Sequence, residues 1–314
     1  MNSSATHNSH QEFILLGFPG FHDSRRLLFI PFFAIYLLIL VTNGLIIRTV
    51  LAERPLHSPM YVLIALLSVV NICSATTIVP KMLLGFLLHH NHISLVGCLM
   101  QMFFIYFMVI QDCNLLLLMA LDRYIAVCKP LRYSTMMVRN SFVLLTIAAL
   151  VRGLCTVSPV VYFASRVDFC RSNTIHHFAC EHMALLHLAC GKTAINKLVG
   201  LSLRVFSIIC DMAVLSTSYG CILRAAFSIS GAPRHKSLHT CGTHIMVILI
   251  VYFFRLSSSI VYRVSREVSQ DTHNLLTAIY MLTPALVNPL IYGLRTKEIR
   301  IRILKAFVRI TVAG

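Results

Sequence analysis

The stretch "MALDRYIAVCKPLRY", residues 119–133, decides the fold. It begins inside an unbroken apolar run from Leu115 to Leu121, and it continues through the adjacent charges Asp122 and Arg123 into a basic segment. At the centre of a bilayer each such charge would cost roughly 2.5 to 3.5 kcal/mol by insertion scales, whereas the headgroup boundary tolerates it. The stretch therefore predicts a helix that spans a membrane and leaves it near Asp122.

The composition of the whole chain also indicates a membrane protein. Of its 314 residues, 57% are hydrophobic and 12% are charged, against roughly 25% charged in soluble domains. A run of about 20 apolar residues crosses a bilayer core of roughly 30 Å as a helix. Seven such runs follow one another: Leu27–Leu51, Met60–Leu88, Val96–Tyr124, Phe142–Tyr162, Leu198–Leu223, Thr243–Val261 and Leu275–Leu294. We therefore expect an all-α membrane protein, a seven-transmembrane helix bundle, and we number its spans one to seven.

The positive charges indicate how the spans are oriented. An odd number of spans places the two termini on opposite sides, and the first residues lack the basic segment and short apolar block of a removable signal peptide. Lys and Arg concentrate in the loops after spans one, three and five and in the tail, which the positive-inside rule assigns to the cytoplasm. We expect residues 1–26 outside the plasma membrane, 27–294 in the bundle, and 295–314 as a cytoplasmic amphipathic helix and tail.

The formal net charge of +16 follows from the same pattern. A nucleic-acid-binding protein would carry its basic residues on a soluble domain, which this sequence lacks. We therefore expect membrane lipid, and no nucleic acid, as a partner, because the basic inner rim can rest on anionic headgroups.

The eleven cysteines divide by their predicted location. Four lie on the expected outer side, where oxidising conditions allow disulfides: Cys98, Cys170, Cys180 and Cys190. Four cysteines allow three pairings, and the spacing does not select among them. The other seven are expected to be reduced packing residues. The triplet that begins at Asn2 is a candidate glycosylation site on the outer side.

Two further motifs accompany the triplet Asp122-Arg123-Tyr124. "NPLIY", residues 288–292, puts the polar Asn288 and the helix-breaking Pro289 near the inner end of span seven, where the missing N–H allows a kink. The following "LRTKEIRIRILKAF" alternates basic and apolar residues at helical spacing, which predicts an amphipathic helix on the inner membrane surface. Together with Cys98, these motifs resemble the rhodopsin-like G-protein-coupled receptors.

Seven sequence blocks narrow this resemblance. They are "LLGFPG" (15–20), "LHSPMY" (56–61), "MALDRYIAVCKPLRY" (119–133), "CEHMALLHLAC" (180–190), "STSY" (216–219), "KSLHTCGTH" (236–244) and "NPLIYGLRTKEIR" (288–300). In this order and spacing they resemble the signature blocks of olfactory receptors. The Pro19-Gly20 ending of the first block and the "CEHM" loop resemble the class I, fish-like subset.

The resemblance carries expectations about function as well as fold. It implies disulfides that join Cys98 to Cys180 and Cys170 to Cys190, with no cofactor and no enzymatic activity. It also implies coupling to the olfactory stimulatory G protein, a heterotrimer, and through it to adenylyl cyclase. The residues that the motifs assign to coupling and activation are Asp122, Arg123, Tyr124, Tyr219, His244, Asn288, Pro289 and Tyr292.

Two acidic positions depart from the usual pattern of the family. Where the family usually has Asp in span two the chain has Asn71, and where it has Glu in span three the chain has Asp112. In related receptors these acids help to bind a sodium ion that favours the inactive state, so Asn71 and Asp112 form a candidate sodium site. The loss of one formal charge should weaken that site, because cation affinity depends partly on ligand charge. Leu121 and Phe254 also replace a usual aromatic residue and a usual proline.

Span six carries the main candidates for ligand contacts. Tyr252, Arg255, Ser259 and Arg263 follow at steps of three, four and four, which places them on one stripe of a helix. From Arg255 to Arg263 this stripe climbs about 12 Å, at about 1.5 Å per residue, toward the outer mouth of the bundle. Arg204 in span five is another cation at membrane depth. Intramembrane charges usually face the bundle interior or water rather than lipid.

Two roles are open for these arginines. Arg255 or Arg204 could neutralise Asp211 or Asp112, and Arg263 could extend to water. In the other role they bind a ligand anion. The resemblance favours Arg263 for that role, because class I receptors hold carboxylates with an arginine near the top of this span.

The resulting hypothesis is a receptor for small volatile or water-borne odorants, with carboxylic acids as the favoured class. The carboxylate would contact Arg263 and Ser259, and the tail would lie among apolar residues of spans three and five. The full set of predicted ligand contacts is Arg263, Ser259, Arg255, Tyr252, Tyr106, Ile105, Met183 and Arg204. Of these, Tyr106 stands where many class I members have histidine.

Other functions fit the sequence less well. A secondary transporter would show internal repeats with broken helices in matching halves, and a channel would show a polar pore lining or a filter sequence. Motifs of enzymes, such as a metal-binding helix or a nucleophile elbow, do not occur. His177 and Cys180 have the residue types of a metal site, but an oxidised Cys180 supplies no thiolate, so we expect no metal.

Overall fold

The computed structural model describes residues 9–88, 91–136, 139–228, 232–264 and 269–313. Within these ranges, only the backbone is described for residues 22–25, 139, 232–237, 240, 258–264 and 306–313. Besides three short 3-10 helices, the described ranges contain ten α-helices: α1 (Arg25–Ala52), α2 (Pro59–Leu88), α3 (Leu95–Cys128), α4 (Tyr133–Met136), α5 (Arg139–Ser165), α6 (His182–Leu186), α7 (Ala194–Phe227), α8 (Ala232–Val264), α9 (Gln270–Arg295) and α10 (Lys297–Ala313). They also contain three short strands: β1 (Glu12–Leu15), β2 (His92–Ser94) and β3 (Thr174–Ile175).

The seven longest apolar segments form a helix bundle, as predicted. Among the described residues, α1, α2, α3, α5, α7 and α9 are long and apolar enough to cross a membrane, and α8 contributes the shorter apolar segment Cys241–Ser257. The outward faces of the bundle are apolar, and Leu144, Phe206 and Leu249 are each about two-thirds exposed. Apolar surface of this extent is favourable against lipid and unfavourable in water. The predicted all-α membrane fold is therefore confirmed.

Helix α3 lies at the centre of the bundle. It packs against α2, α5, α7 and α8, and Met119 on its inner face is fully buried. Ser94 caps the start of α3, because its hydroxyl accepts the Gly97 N–H at 3.1 Å. The helix ends at Cys128, just before Pro130, whose ring cannot continue it. Through this central place α3 contributes to both of the sites described below.

A small sheet covers one end of the bundle. The strand order is β2-β1-β3, in which β1 pairs antiparallel with β2 and parallel with β3. In this register Ile14 lies opposite His92 on one side and Thr174 on the other. The rings of Phe13 and Phe169 meet edge to face at 5.5 Å beneath it. This sheet was not predicted from the sequence. We call this end of the bundle the sheet end and the opposite one the α10 end.

Two disulfides tie the loop between α5 and α7 to the sheet end. Cys98 is bonded to Cys180 and Cys170 to Cys190, which is the pairing that the family resemblance implies. The first bond fixes the loop to the start of α3, and the second closes the loop on itself. The loop is thereby held over the bundle, where it forms one wall of the cavity described below.

The N-terminal segment is also held by α9. The side chain of Asn274 donates to the Gly17 carbonyl, and the Gly20 N–H donates to the Asp271 carboxylate at 2.9 Å. Gly17 has a φ of 66°, in the left-handed region where a residue without a Cβ is favoured. This segment therefore crosses the sheet end with fixed contacts.

Helix α10 lies across the other end of the bundle. It packs against α1 and α9, and Ile299 on its apolar face is fully buried. Arg302 on its polar face pairs with Glu53, in the segment between α1 and α2. The helix predicted after span seven is therefore present.

Candidate functional site

A cavity of about 200 Å³ lies among the helices in the half of the bundle nearer the sheet end. Its walls come from α2, α3, α5, α7, α8 and α9 and from residues 181–183 of the disulfide-bonded loop. Apolar side chains, among them Ile105, Val109 and Leu201, form most of the lining. A concave, mostly apolar space with a few polar groups is typical of a binding site for a small molecule.

Charged side chains occupy particular places on this lining. Among the described residues that line it, three are basic, namely Lys197 and Arg204 of α7 and Arg255 of α8. Two are acidic, namely Asp112 of α3 and Glu181 of the loop. Lys197 and Arg204 are seven residues apart, about 10.5 Å along the helix and on the same face. With one more basic than acidic group, the described lining favours an anionic ligand.

Arg204 lies beside a hydrogen-bonded carboxylate. Its guanidinium carbon is 5.8 Å from the centre of the Tyr106 ring, which is within cation–π range. The Tyr106 hydroxyl donates to one Glu181 oxygen at 2.9 Å, and the other oxygen accepts the N–H groups of Met183 and Ala184 at 2.7 and 3.0 Å. Glu181 thereby caps α6. These donors already engage its charge, so Arg204 is not needed to stabilise it.

His182 completes this side of the cavity. Burial lowers the pKa of its imidazole, so the ring is uncharged at neutral pH and adds nothing to the positive charge of the lining. Gly200 of α7 lies against the ring, and a Cβ at that position would come within 3.0 Å of the His182 Cε1 atom. The close approach of α7 to the loop at this point therefore favours a glycine.

Arg255 lies at the floor of the cavity, where three helices meet. Its Nη1 atom is 2.9 Å from the Cys113 sulfur of α3 and 3.4 Å from the Asp211 carboxylate of α7, and its Nη2 atom is 3.4 Å from the Ser207 hydroxyl. A thiol is a weak acceptor, and 3.4 Å is long for a charge-assisted hydrogen bond. Because a guanidinium has five N–H donors and this one lines the cavity, it can also bind a ligand anion.

Asp211 forms a buried cluster beneath this floor. Its carboxylate is 1% exposed, and it accepts from Arg152 of α5 and, at 2.9 Å, from the Tyr252 hydroxyl of α8. Arg152 also donates to the Asn114 side chain of α3 at 2.7 Å. The pairing of Arg255 with Asp211, one of the two roles left open by the sequence, is therefore present. One carboxylate thus connects α5, α7 and α8.

The cavity brings together most of the predicted ligand contacts whose side chains are described. They are Ile105, Tyr106, Met183, Arg204 and Arg255. Tyr252 instead lies beneath the floor, where its hydroxyl is bonded to Asp211. The side chains of Ser259 and Arg263 lie outside the described residues, as does Asn2.

Among the polar residues of this region that were not predicted contacts are Lys197, Arg152 and Glu181. The sequence predicts span five from Leu198, whereas α7 begins at Ala194, so Lys197 falls inside the helix rather than in the loop. Arg152 lies within predicted span four, and the cost of a charge at membrane depth is the signal that could have found it. Glu181 shows no comparable signal in the sequence, because its role depends on the fold of the loop.

Asp112 and Asn71, the candidate sodium site, both line the floor of the cavity. Asp112 is 8% exposed, and no described residue hydrogen-bonds to its Oδ1 atom. The Asn71 amide donates to the Asn43 side chain at 3.0 Å, and Asn43 donates to the Ala285 carbonyl at 2.9 Å.

At the α10 end, Arg123 is paired with its neighbour in the sequence. Its Nε and Nη2 atoms donate to one Asp122 oxygen at 3.0 and 2.6 Å, and the Tyr133 hydroxyl of α4 donates to the other at 2.8 Å. Asp122 is fully buried, and Arg123 is partly exposed. Burial and the hydrogen bond to Asp122 raise the pKa of Tyr133, so its hydroxyl keeps the proton that it donates. Asp122 thus holds Arg123 against the bundle.

Five further residues assigned to activation are buried between the helices, namely Tyr219, His244, Asn288, Pro289 and Tyr292. The Tyr292 hydroxyl lies 3.2 Å from Nδ1 of His244 and 3.5 Å from the sulfur of Met119. This contact connects α9, α8 and α3. Tyr219 of α7 and Asn288 of α9 are also buried. Most residues of the predicted activation motifs therefore pack inside the bundle and do not lie on its surface.

Comparison with known proteins shows what the chain is similar to. A family model described as olfactory receptor matches residues 32–310. The human olfactory receptor 52K1 is 37% identical over 98% of this chain and 98% of its own length. The human olfactory receptor 52D1 is 38% identical over 93% of both chains. The human olfactory receptor 51E1 is 36% identical over 97% of this chain and 94% of its own length.

Proposed function

The chain belongs to the olfactory receptor family, in the class I subset, and we propose that it binds small carboxylic acids in the cavity among α3, α7 and α8. As a member of that family it is an odorant receptor of the G-protein-coupled class and a multi-pass protein of the plasma membrane, and it is not an enzyme. One observation carries the proposal. The described lining of a mostly apolar cavity has more basic than acidic side chains.

The size of the cavity supports short acids. A cavity of about 150 Å³ with an apolar lining binds benzene, and this one has about 200 Å³, which corresponds to about eight non-hydrogen atoms. An acid of about four to six carbons matches that size. Its carboxylate would contact Arg255 or Arg204, and its tail would pack against Ile105, Val109 and Leu201. Each charge-assisted hydrogen bond contributes about 1.5 to 3 kcal/mol, and each buried methylene about 0.8 kcal/mol.

A second basic position on α8 lies nearer the mouth of the cavity. Arg263 follows Arg255 by eight residues, which is about 12 Å along the helix, and Ser259 lies midway. The family resemblance favours Arg263 as the carboxylate partner, whereas the described lining favours Arg255 and Arg204. The two arginines of α8 therefore mark two candidate depths for the carboxylate, and single substitutions distinguish them.

We place the sheet end outside the cell and the α10 end in the cytoplasm, because Lys and Arg concentrate in the loops and tail at the α10 end. In that orientation Arg123 faces the G protein. Release of Arg123 from Asp122 would present it to the olfactory stimulatory G protein, which raises cyclic AMP. An agonist can drive this change only if it binds the active state more tightly than the inactive one.

Cyclic AMP accumulation in transfected cells tests the proposal. Hexanoic acid should activate the parent receptor, and its methyl ester should be at least roughly tenfold weaker, because the ester cannot form the charge-assisted hydrogen bonds. Arg255→Ala and Arg263→Ala show at which depth the carboxylate binds, because only the variant that lacks the binding arginine should lose the preference for the acid. Arg171→Ala removes an exposed charge of the outer loop and serves as the matched control. Equal potency of acid and ester on the parent receptor refutes the proposal.

A further inference from the structure

Asp112 is the acidic group of the cavity floor for which a simple fatty acid provides no partner. Its side chain is buried, at 8% exposed, and no hydrogen bond reaches its Oδ1 atom from any described residue. A buried carboxylate oxygen without a donor is unfavourable. A ligand that brings a donor to Asp112 therefore gains an interaction that the described protein groups do not supply.

Asp112 lies close to the basic group of the floor. It precedes Cys113 in α3, and the sulfur of Cys113 is 2.9 Å from the Nη1 atom of Arg255. Both Asp112 and Arg255 line the same cavity. The floor therefore presents a guanidinium donor and a carboxylate acceptor at one level of α3. The complementary ligand carries an anionic group and, a few bonds away, a hydrogen-bond donor.

The charges of the lining indicate which donor fits. Among the described lining residues three are basic and two acidic, a difference of one. A ligand with a single negative charge balances that difference. A second carboxylate would instead lie against Asp112 and repel it, and an added ammonium group would cancel the anion that the basic residues favour. A neutral hydroxyl supplies the donor and leaves the ligand with one charge.

We propose that the receptor prefers hydroxycarboxylic acids of about four to six carbons, whose carboxylate binds Arg255 and whose hydroxyl donates to Asp112. This rests on the proposed function and narrows its ligand class. 4-Hydroxybutanoate and 6-hydroxyhexanoate have about seven and nine non-hydrogen atoms, on either side of the capacity inferred from the cavity volume. Asn71 next to this site gives no second formal charge, and a neutral hydroxyl requires none.

The test compares each hydroxy acid with the plain acid of the same chain length. Dose responses are measured for 4-hydroxybutanoate against butanoate and for 6-hydroxyhexanoate against hexanoate, with cyclic AMP as the readout. On the parent receptor at least one hydroxy acid should be more potent than its plain acid by roughly tenfold or more, as expected for a hydrogen bond to a charged group. The ratio within a pair is independent of how much receptor reaches the surface.

Two variants of Asp112 assign the preference to this residue. Asp112→Leu has no acceptor, so its ratio should fall to about one or favour the plain acid. Asp112→Asn keeps an acceptor oxygen without the charge, so its ratio should lie between those of the parent and Asp112→Leu. Surface staining is recorded for each variant, and if Asp112→Leu does not reach the surface, the parent and Asp112→Asn ratios decide the question.

The outcomes distinguish a failure of this inference from a failure of the proposed function on which it rests. If the parent responds to plain acids as strongly as to both hydroxy acids, or if Asp112→Leu keeps the tenfold preference, the role of Asp112 is overturned while carboxylic acid binding stands. If no acid is more potent than its methyl ester, both are overturned.

Discussion

Replacement of Asp211 by asparagine should destabilise the receptor more than the loss of any one of its partners. The Asp211 carboxylate is buried and accepts from Arg152, Tyr252 and Arg255. Asp211→Asn leaves two guanidinium groups around a neutral amide. Removal of one partner from a buried ion pair costs about 3 to 5 kcal/mol. Because the Arg152 side chain is 31% exposed, we expect a value near the lower limit, about 3 kcal/mol.

The partners of Asp211 provide matched controls. Tyr252→Phe removes one hydroxyl and leaves both arginines in place, so it should cost about 1.5 to 3 kcal/mol, the contribution of one hydrogen bond to a charged group. Arg152→Met keeps much of the side-chain volume and leaves Asp211 paired with Arg255 and Tyr252. We therefore expect the largest loss of stability for Asp211→Asn.

Thermal unfolding of the detergent-solubilised receptor measures this difference. At about 2 °C per kcal/mol for a chain of this size, the apparent melting temperature of Asp211→Asn should be lower by roughly 6 °C. Surface expression in cells should fall in the same order as the melting temperatures. A melting temperature within 2 °C of the parent, or a larger loss for Tyr252→Phe than for Asp211→Asn, would refute the view that this carboxylate is the shared anchor of the cluster.

Three further outcomes follow from other contacts. Tyr133→Phe removes a hydrogen bond to the Asp122 carboxylate that contributes about 1.5 kcal/mol, the lower limit for a bond to a charged group, because Tyr133 is partly exposed. Basal cyclic AMP without ligand should therefore rise several-fold, and an unchanged basal signal would count against this role. Burial holds the pKa of His177 at about 4, below about 6.5 in an unfolded chain, so the unfolded state binds more protons in that interval and stability should fall as the pH drops from about 6.5 to 4. Melting curves at several pH values should show this fall in the parent and less of it in His177→Phe, and parallel curves would contradict it. Arg302→Ala should cost less than about 1 kcal/mol in thermal melts, because Arg302 and Glu53 are both partly exposed, and a loss above 2 kcal/mol would disprove this.

The bundle could be predicted from the sequence because a helix satisfies its own backbone hydrogen bonds in lipid, so each long apolar run specifies one span. The boundaries follow less well where polar residues continue a helix. The sequence predicts span six from Thr243, whereas α8 begins at Ala232, because residues 232–242 are too polar to register as part of an apolar run. The sheet was not predicted, since its strands of two to four residues pair across segments that are far apart in the chain.

The site could be predicted only in part. Tyr106, Arg204 and Arg255 lie on the cavity because polar and charged groups in a membrane span turn toward the interior, and that rule needs only the sequence. The partner that each charge takes depends on packing between helices. Asp211 pairs with Arg152 of α5 as well as with Arg255 of α8, and nothing in the spacing of these residues specifies that arrangement.

The shared use of Arg255 gives a physical route from the ligand to the helices. If the proposed ligand carboxylate binds Arg255, it would compete with Asp211, whose contact with Arg255 is long at 3.4 Å. Asp211 remains satisfied when this contact is lost, because Arg152 and Tyr252 still donate to it. Tyr252 would therefore keep α8 attached to α7 while the ligand draws the part of α8 at the cavity floor toward itself. If α8 moves as a stiff rod about Tyr252, the displacement would extend to His244, which is about 12 Å along the helix from Tyr252. His244 lies against Tyr292 in the half of the bundle that holds Arg123.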